Sequence, residues 1–306
     1  WRLVPTNRAC IATVFFSLIH SKYCLIIVIV EQSSLINLEY LSILELNGKG
    51  SFELLQGQIT SDMEKVSKDN CVLGSICDVK GRVIGSFITA INSKKVDSYH
   101  LIGDQKVLEL IQNVLQKYQP FYDSKMSLEV GYKFYGIQAD WLKENFPTAN
   151  LDKTYESNDS FSRIHYLEKK FHIIYAQDLT VFDIYDISND ENEWKLDEIA
   201  NFNYEVTYDS SNKFTPHELG YHLTSRVDFE KGCYTGQEIV ARMHYRAKKL
   251  PNIIIQKADK EVKPLSKVYD ENQKPIGLVL MSSSIEGENH YLLSMNKNYV
   301  DQKVIF

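Results

Sequence analysis

The sequence predicts an α+β fold, with short strands and short helices following one another without a regular βαβ repeat and a strand-rich unit at the C-terminal end. Three observations lead there. The composition is that of an ordinary globular chain, 306 residues with 44% hydrophobic and 24% charged, which excludes collagen, a coiled coil and wholesale disorder. From residue 39 onward, apolar residues recur at strand and helix spacing in short segments punctuated by Gly, Pro and Asn turns. After Pro251 the helical spacing disappears and only strand-like runs remain. The length exceeds what one core usually organises, so two or three packed units are expected.

Residues 1–35 read apart from the rest. No Asp or Glu precedes Glu31, and residues 24–30, CLIIVIV, are wholly apolar. A spanning helix needs roughly 20 uninterrupted apolar residues, whereas His20 and Lys22 break this run, so an apolar extension without an anchoring function is expected. Next, residues 41–46 read as a strand closed by the Asn47-Gly48 turn. Phe52, Leu55 and Ile59 set an apolar stripe beneath a helical segment that carries Gln56, Gly57 and Gln58. Residues 71–77 and 83–91 read as a hairpin around the polar tip DVKGR at 78–82.

The clearest helix spans 105–118: Val107, Ile111, Val114 and Tyr118 share one face, Asp104 caps its start and Pro120 stops it. Residues 127–138 and 171–175 read as strands, and the polar stretch 150–162 as a surface connection. A second polar stretch, 188–193, leads into Trp194 and a short helical pattern at 196–199. Thr215, Pro216, His217 and Glu218 have the spacing of a capping box with proline in the first turn, a strong helix start. Strands follow at 253–255, 267–269, 276–280 and 291–293, which places a boundary near 249–251.

Charge and cysteine content narrow the function. The chain carries 34 Lys+Arg against 40 Asp+Glu, a net charge of −6, and a dedicated nucleic-acid clamp usually shows a basic excess. Stable nucleic-acid binding and membrane association are therefore not expected, and the chain is expected to be a monomer. Cys10, Cys24, Cys71, Cys77 and Cys233 include no C-x-x-C pair. That is a reducing-compartment pattern rather than a disulfide scaffold or a structural zinc site, and a cytoplasmic location is expected, with the mitochondrial matrix as the alternative.

Residues 231–238, KGCYTGQE, are the most unusual stretch, and the helical spacing of 239–243 follows them. Two glycines let backbone approach a ligand closely, and a helix N-terminus beside Lys231 favours a thiolate at Cys233. Glu238, in the first turn, offers an acceptor to an amide-rich heterocycle. The other four cysteines read as small buried hydrophobes. His217, His222 and His244 lack metal-ligand spacing and read as ordinary surface or core histidines.

Three motifs in order resemble the YgfZ family of folate-binding proteins, relatives of the glycine-cleavage T-protein aminomethyltransferase. They are LQGQITSD at 55–62, CDVKGR at 77–82, and KGCYTGQE at 231–238 continued by Val240, Ala241, Arg242 and Arg246. Phe214, Thr215 and Pro216, with Leu219 and Phe229, match the approach to the third motif. The resemblance covers residues 39 to 255. It implies small α+β subdomains around a central cavity plus a small C-terminal β-barrel: an unmatched extension at 1–35, a folate-binding domain at 36–250 and a barrel-like domain at 251–306.

The resemblance further implies tetrahydrofolate, or a one-carbon derivative, as cofactor. It implies an accessory role in iron–sulfur cluster assembly or repair, and thereby in tRNA modification, with iron–sulfur enzymes or scaffold proteins as transient partners. Cys233 would be the reactive thiol or a transient cluster ligand. Lys231, Tyr234, Gln237, Glu238 and Arg242 of the signature and Gln58 of the first motif would line the site. Trp194 matches a pocket tryptophan of the family and would stack on a pterin, or else anchor the core. A second family tryptophan has no counterpart, since Tyr40 and Leu41 stand at that strand start. Lys80 and Arg82 suit the carboxylates of a folate tail, or else form a solvated hairpin tip, and Asp62 and Asp78 either bond pterin nitrogens or cap turns. Two other functions compete with this one: a folate-dependent one-carbon (aminomethyl) transferase, in which a carboxylate activates a folate nitrogen, and a module that binds tRNA directly.

Overall fold

Short apolar runs become strands only when they find partners, and among the described residues they assemble into three sheets. The structure is a computed structural model that describes residues 35–247, 250–299 and 304–306; the apolar extension, with Cys10 and Cys24, lies outside the described residues. The strands are β1 (Leu35–Asn37), β2 (Leu41–Asn47), β3 (Val72–Cys77), β4 (Val83–Ile91), β5 (Ser98–Asp104), β6 (Lys125–Glu129), β7 (Lys133–Gln138), β8 (Tyr155–Ser157), β9 (Ser162–Ile164), β10 (Phe171–Ala176) and β11 (Ile187–Ser188), then β12 (Asn252–Ala258), β13 (Lys267–Tyr269), β14 (Pro275–Ile285) and β15 (Glu288–Met295). Among the described residues five α-helices accompany them: α1 (Ser51–Gln56), α2 (Gln105–Leu115), α3 (Ala139–Asn145), α4 (Asn192–Ala200) and α5 (Gln237–Arg246).

One sheet has the order β3-β4-β5-β2-β6 and a second the order β11-β1-β7-β10-β9-β8. Ile36, Ile43, Ile88, Ile102, Ile173 and Trp194 belong to one shared buried cluster that joins the two sheets. Helix α2 covers the other face of the first sheet. Its start is fixed, as expected, by the Asp104 carboxylate, which accepts from the Val107 amide at 3.1 Å, but it ends at Leu115 and its buried face is Val107, Leu108, Ile111 and Leu115, with Val114 and Tyr118 half-buried at the margin.

The expected strand at 127–138 is in fact two strands in different sheets. Gly131, at φ +80°, turns the chain between them, so that β6 pairs with β2 while β7 pairs with β1 and β10. The polar stretch 150–162 also holds more structure than a connection: β8 and β9 form a hairpin whose turn is organised by Asn158, its Oδ1 accepting from the amides of Ser160 and Phe161. The capping box at Thr215 and Glu218 is present, but the helix it starts is one 3₁₀ turn, Pro216–Leu219, ended by Gly220 in the left-handed region.

The third sheet, order β12-β15-β14-β13, corrects the barrel that the resemblance implies. Its edges, β12 and β13, do not pair with each other, and β13 is only three residues long with a single outer bridge from Tyr269 to Ile305. Among the described residues the unit is therefore an open antiparallel sheet. It packs on the main body through Leu280 and Leu292, which share a core with Val83, Tyr221 and Val240. No helix among the described residues is long and apolar enough to cross a membrane.

Candidate functional site

The three motifs, spread between residues 55 and 238 of the chain, meet at one place. Gly236 begins α5 at φ +84°, and a Cβ there would lie 2.4 Å from the Asp78 carbonyl oxygen, so the signature turn can seat itself against the β3–β4 hairpin only with glycine at this position. Gly81 of the hairpin tip in turn packs on the Ile239 and Val240 side chains of α5. The Asp78 carboxylate accepts from the amides of Lys80 at 2.8 Å and Arg82 at 2.9 Å; of the two roles open to it, it fills the turn-capping one. Lys80 and Arg82 are exposed, and the Arg82 guanidinium donates to the Lys213 carbonyl.

The first motif is fastened to the signature by buried polar contacts. The Lys231 ammonium donates to the carbonyls of Gln56 and Ile59, both at 2.7 Å, and burial pulls its pKa down to about 8. Its hydrogen bonds thus go to backbone and not to the thiol two residues on. Thr235 donates to Gln58 Oε1 at 3.0 Å, and the Tyr234 ring lies 5.3 Å from the Lys231 ammonium. Asp62 accepts from the Gln56 side-chain amide at 2.9 Å and caps the turn Met63–Lys65 through the Glu64 amide. Cys233 itself is exposed, whereas Cys71 and Cys77 are buried and desolvation pushes their thiols up to about 11 and about 12. Glu238 and Arg242 project from α5 as exposed side chains and Gln237 is half-buried; a cleft of about 440 Å³ runs along Ile239, Arg242, Met243 and Arg246.

Behind the signature lies a buried polar cluster that neither spacing nor motif announces. Arg226 has no solvent exposure. Its guanidinium donates to the carbonyls of Gly74 and Phe87, to Asn203 Oδ1, and to Glu205 Oε1 at 3.1 Å, while its own carbonyl accepts from Thr60 of the first motif. Asn203 donates to Glu198, which also receives Tyr166 at 2.7 Å and Lys169 at 2.5 Å. Lys169 Nζ sits 3.3 Å from the centroid of the Trp194 ring, and the indole N–H donates to the Tyr40 hydroxyl at 3.1 Å. One network therefore runs from the first motif to Tyr40 and Trp194.

Desolvation is the largest influence on this cluster, raising the Glu205 pKa against the pull of Arg226 and lowering that of Lys169 against the pull of Glu198. Tyr40 is half-buried and the Glu205 side chain keeps 16% of its surface accessible, so the network is open at these two points. Trp194 is 2% exposed. Its ring face carries the Lys169 ammonium, a cation–π contact, and Gly136 packs on its six-membered ring, so the indole serves the core and the stacking surface expected for a pterin is already covered. His217, His222 and His244 gather into one aromatic cluster with Phe229, whose ring stacks on His244 at 3.7 Å. Among the described residues no group of three or more His, Cys, Asp or Glu is placed to hold a metal ion.

The arrangement of sheets defines the class. The chain has the fold of the glycine cleavage system aminomethyltransferase T from Bartonella henselae, with a TM-score of 0.68 at 10% identity, covering 89% of this chain and 83% of that one. No family model matches the sequence. In sequence the chain is similar to the tRNA-modifying protein YgfZ of Aliivibrio fischeri, 24% identical over 264 residues that cover 82% of this chain and 81% of the relative. It is likewise similar to the tRNA-modifying protein YgfZ of Colwellia psychrerythraea, 28% identical over 227 residues that cover 71% and 69%. The resemblance to the YgfZ family thus extends far beyond the three motifs.

Proposed function

We propose that this protein is a folate-binding accessory factor for tRNA modification, supporting the assembly or repair of iron–sulfur clusters through Cys233. The observation that carries the reading is the convergence of three distant motifs on one exposed thiol, in a chain with the fold of an aminomethyltransferase and relatives named as tRNA-modifying proteins. A folate has an amide-edged pterin and a carboxylate tail, and the residues fit both. Glu205, whose side chain keeps 16% of its surface accessible, offers an acceptor to the pterin edge and is held from behind by Arg226, itself fixed by Asn203. Lys80, Arg82, Arg242 and Arg246 are exposed cations suited to tail carboxylates. When bound, tetrahydrofolate supplies a carrier for one-carbon units. The chain's own residues hold and orient it, while Lys231, Gly236 and Asp78 keep the signature turn in shape so that Cys233 is offered outward to an iron–sulfur enzyme or scaffold protein.

The test is Cys233→Ala. Because the side chain is exposed, stability should change by less than about 0.5 kcal/mol and tetrahydrofolate affinity should be unchanged in anaerobic calorimetry, while complementation of a cluster-maintenance defect is lost. Full rescue by the variant removes the thiol from the mechanism. A second reading, one-carbon transfer, is favoured by Glu205, a carboxylate whose raised pKa suits it to hold a proton. Aminomethyl transfer that Glu205→Gln abolishes and Cys233→Ala preserves would select it.

A further inference from the structure

A second cleft, of about 420 Å³, opens between the first two sheets, away from the signature. It lies at the Tyr175 end of β10, whereas Phe171 at the other end packs on Trp194; four residues of strand separate the two by about 13 Å. Its floor is made by His100 of β5 and Tyr175, and its rim by the turns that follow β4 and β8. The volume falls within the range of small-molecule sites, about 300–1,000 Å³.

His100 is 4% exposed. Its Nδ1 lies 3.5 Å from the Tyr175 hydroxyl, but Nε2 has no hydrogen-bond partner. Buried polar groups are normally paired, and one left unpaired bears its full desolvation cost. Desolvation also lowers the imidazole pKa to about 4, so at neutral pH the ring is uncharged and offers one donor and one acceptor.

Two tyrosine rings lie beside that imidazole. His100, Tyr132 and Tyr175 have centroids 6.2–6.3 Å apart and planes inclined by 49–72°; Tyr175 is buried and stacks on Phe134, while Tyr132 is half-buried and keeps part of its surface open to the cleft. The Tyr132 hydroxyl makes no hydrogen bond with the described residues. Along the rim, Ser93 and Ser162 each donate to Ser157 Oγ, at 2.8 and 2.9 Å, and these hydroxyls keep lone pairs free for a ligand. The charged residues lining the cleft are Lys94 against Asp159 and Asp178, an excess of one negative charge that repels phosphates and carboxylates.

A half-buried aromatic ring to pack against a base, an unpaired imidazole nitrogen to read its edge, a serine rim to bond hydroxyls and an acidic balance describe one class of ligand. We propose that this cleft binds an unphosphorylated nucleoside, the base against Tyr132 with its edge at His100 and the ribose hydroxyls at the Ser93–Ser157–Ser162 rim. The site is separate from the folate reading and stands or falls without it.

Calorimetric titration of the full chain with adenosine, guanosine, cytidine and uridine, each to about 5 mM, tests the proposal beside the 5′-monophosphates and D-ribose. At least one nucleoside should bind, about tenfold or more tighter than its monophosphate and than ribose. His100→Phe should weaken it at least about tenfold while tetrahydrofolate affinity is unchanged. Tyr132→Ala, at a half-buried rim position, should do the same and decides the matter if His100→Phe does not fold. Absence of nucleoside binding, equal binding of ribose or of the monophosphate, or affinity unaltered in the folded variants overturns it.

Discussion

Gly236 admits no side chain, because its left-handed backbone angle and the Asp78 carbonyl each forbid a Cβ. Gly236→Ala should therefore cost about 1–3 kcal/mol, read as a lowered midpoint in urea unfolding. It should also loosen the contact between hairpin and signature and so impair Cys233 function in vivo. Lys169 and Glu198 form a buried ion pair, with side chains 0% and 3% exposed. Removing one partner leaves a charge stranded, so Lys169→Met should destabilise by about 3–5 kcal/mol, and Lys169→Met with Glu198→Met should recover part of that loss in the same assay. At this scale the signature was legible because its information is local: glycines, a cysteine and a lysine within eight residues. The polar cluster was not legible, since Arg226 is joined to Gly74 and Phe87 across 152 and 139 residues, and nothing in the neighbourhood of Tyr166, Lys169, Glu198, Asn203 or Glu205 marks them as partners. Trp194 is expected either to stack on a pterin or to anchor the core; it is buried, and the ammonium that covers its face comes from Lys169, two residues before β10, which left no trace in the sequence around Trp194.

The β3–β4 hairpin and α5 act as one element pair. The hairpin tip is held by a single carboxylate accepting two amides, so Asp78→Ala should cost about 1–2 kcal/mol and speed hydrogen exchange at the amides of Lys80 and Arg82. Protection unchanged at these two amides would show that the turn holds its shape without Asp78. Elements with strong local periodicity were read best: β4 has the expected bounds and α2 the expected cap, although α2 stops at Leu115 and its buried face shifts onto Leu108 and Leu115. Elements whose identity depends on a partner were not. The turn at Gly131 divides what looks like one strand, and the β8–β9 hairpin turns on the Asn158 side chain, which accepts two backbone amides, rather than on apolar packing. At the C-terminus the strands were legible one by one, but whether they close is decided by an edge pairing that no strand encodes by itself.

For the molecule as a whole, acid should be the weak direction. Burial lowers His100 and His217 to about 4 and His172 to about 3, whereas the same imidazoles in the unfolded chain take a proton near 6.5. Between those values the unfolded state binds more protons, so stability is fully present above about pH 6.5 and is lost as pH falls toward 4 and then 3. The slope reaches about 4 kcal/mol per pH unit if all three act together. Glu45, held at about 2 against desolvation by hydrogen bonds from Lys95, Ser98 and Asn92, extends the loss to lower pH. Urea midpoints measured from pH 7.5 to 4.5 should fall steadily; a flat profile would mean that these histidines are hydrated. Strand β1 lies between β7 and β11 in its sheet, with Leu35 opposite both Ile137 and Ile187, while β2 to β6 build a different sheet in the interval. During synthesis at about 5–20 residues per second, the ribosome delivers Ile137 roughly 5–20 s after Leu35. For that time β1 waits without its neighbours, so the second sheet cannot begin to close around it until the first sheet's strands have already left the ribosome.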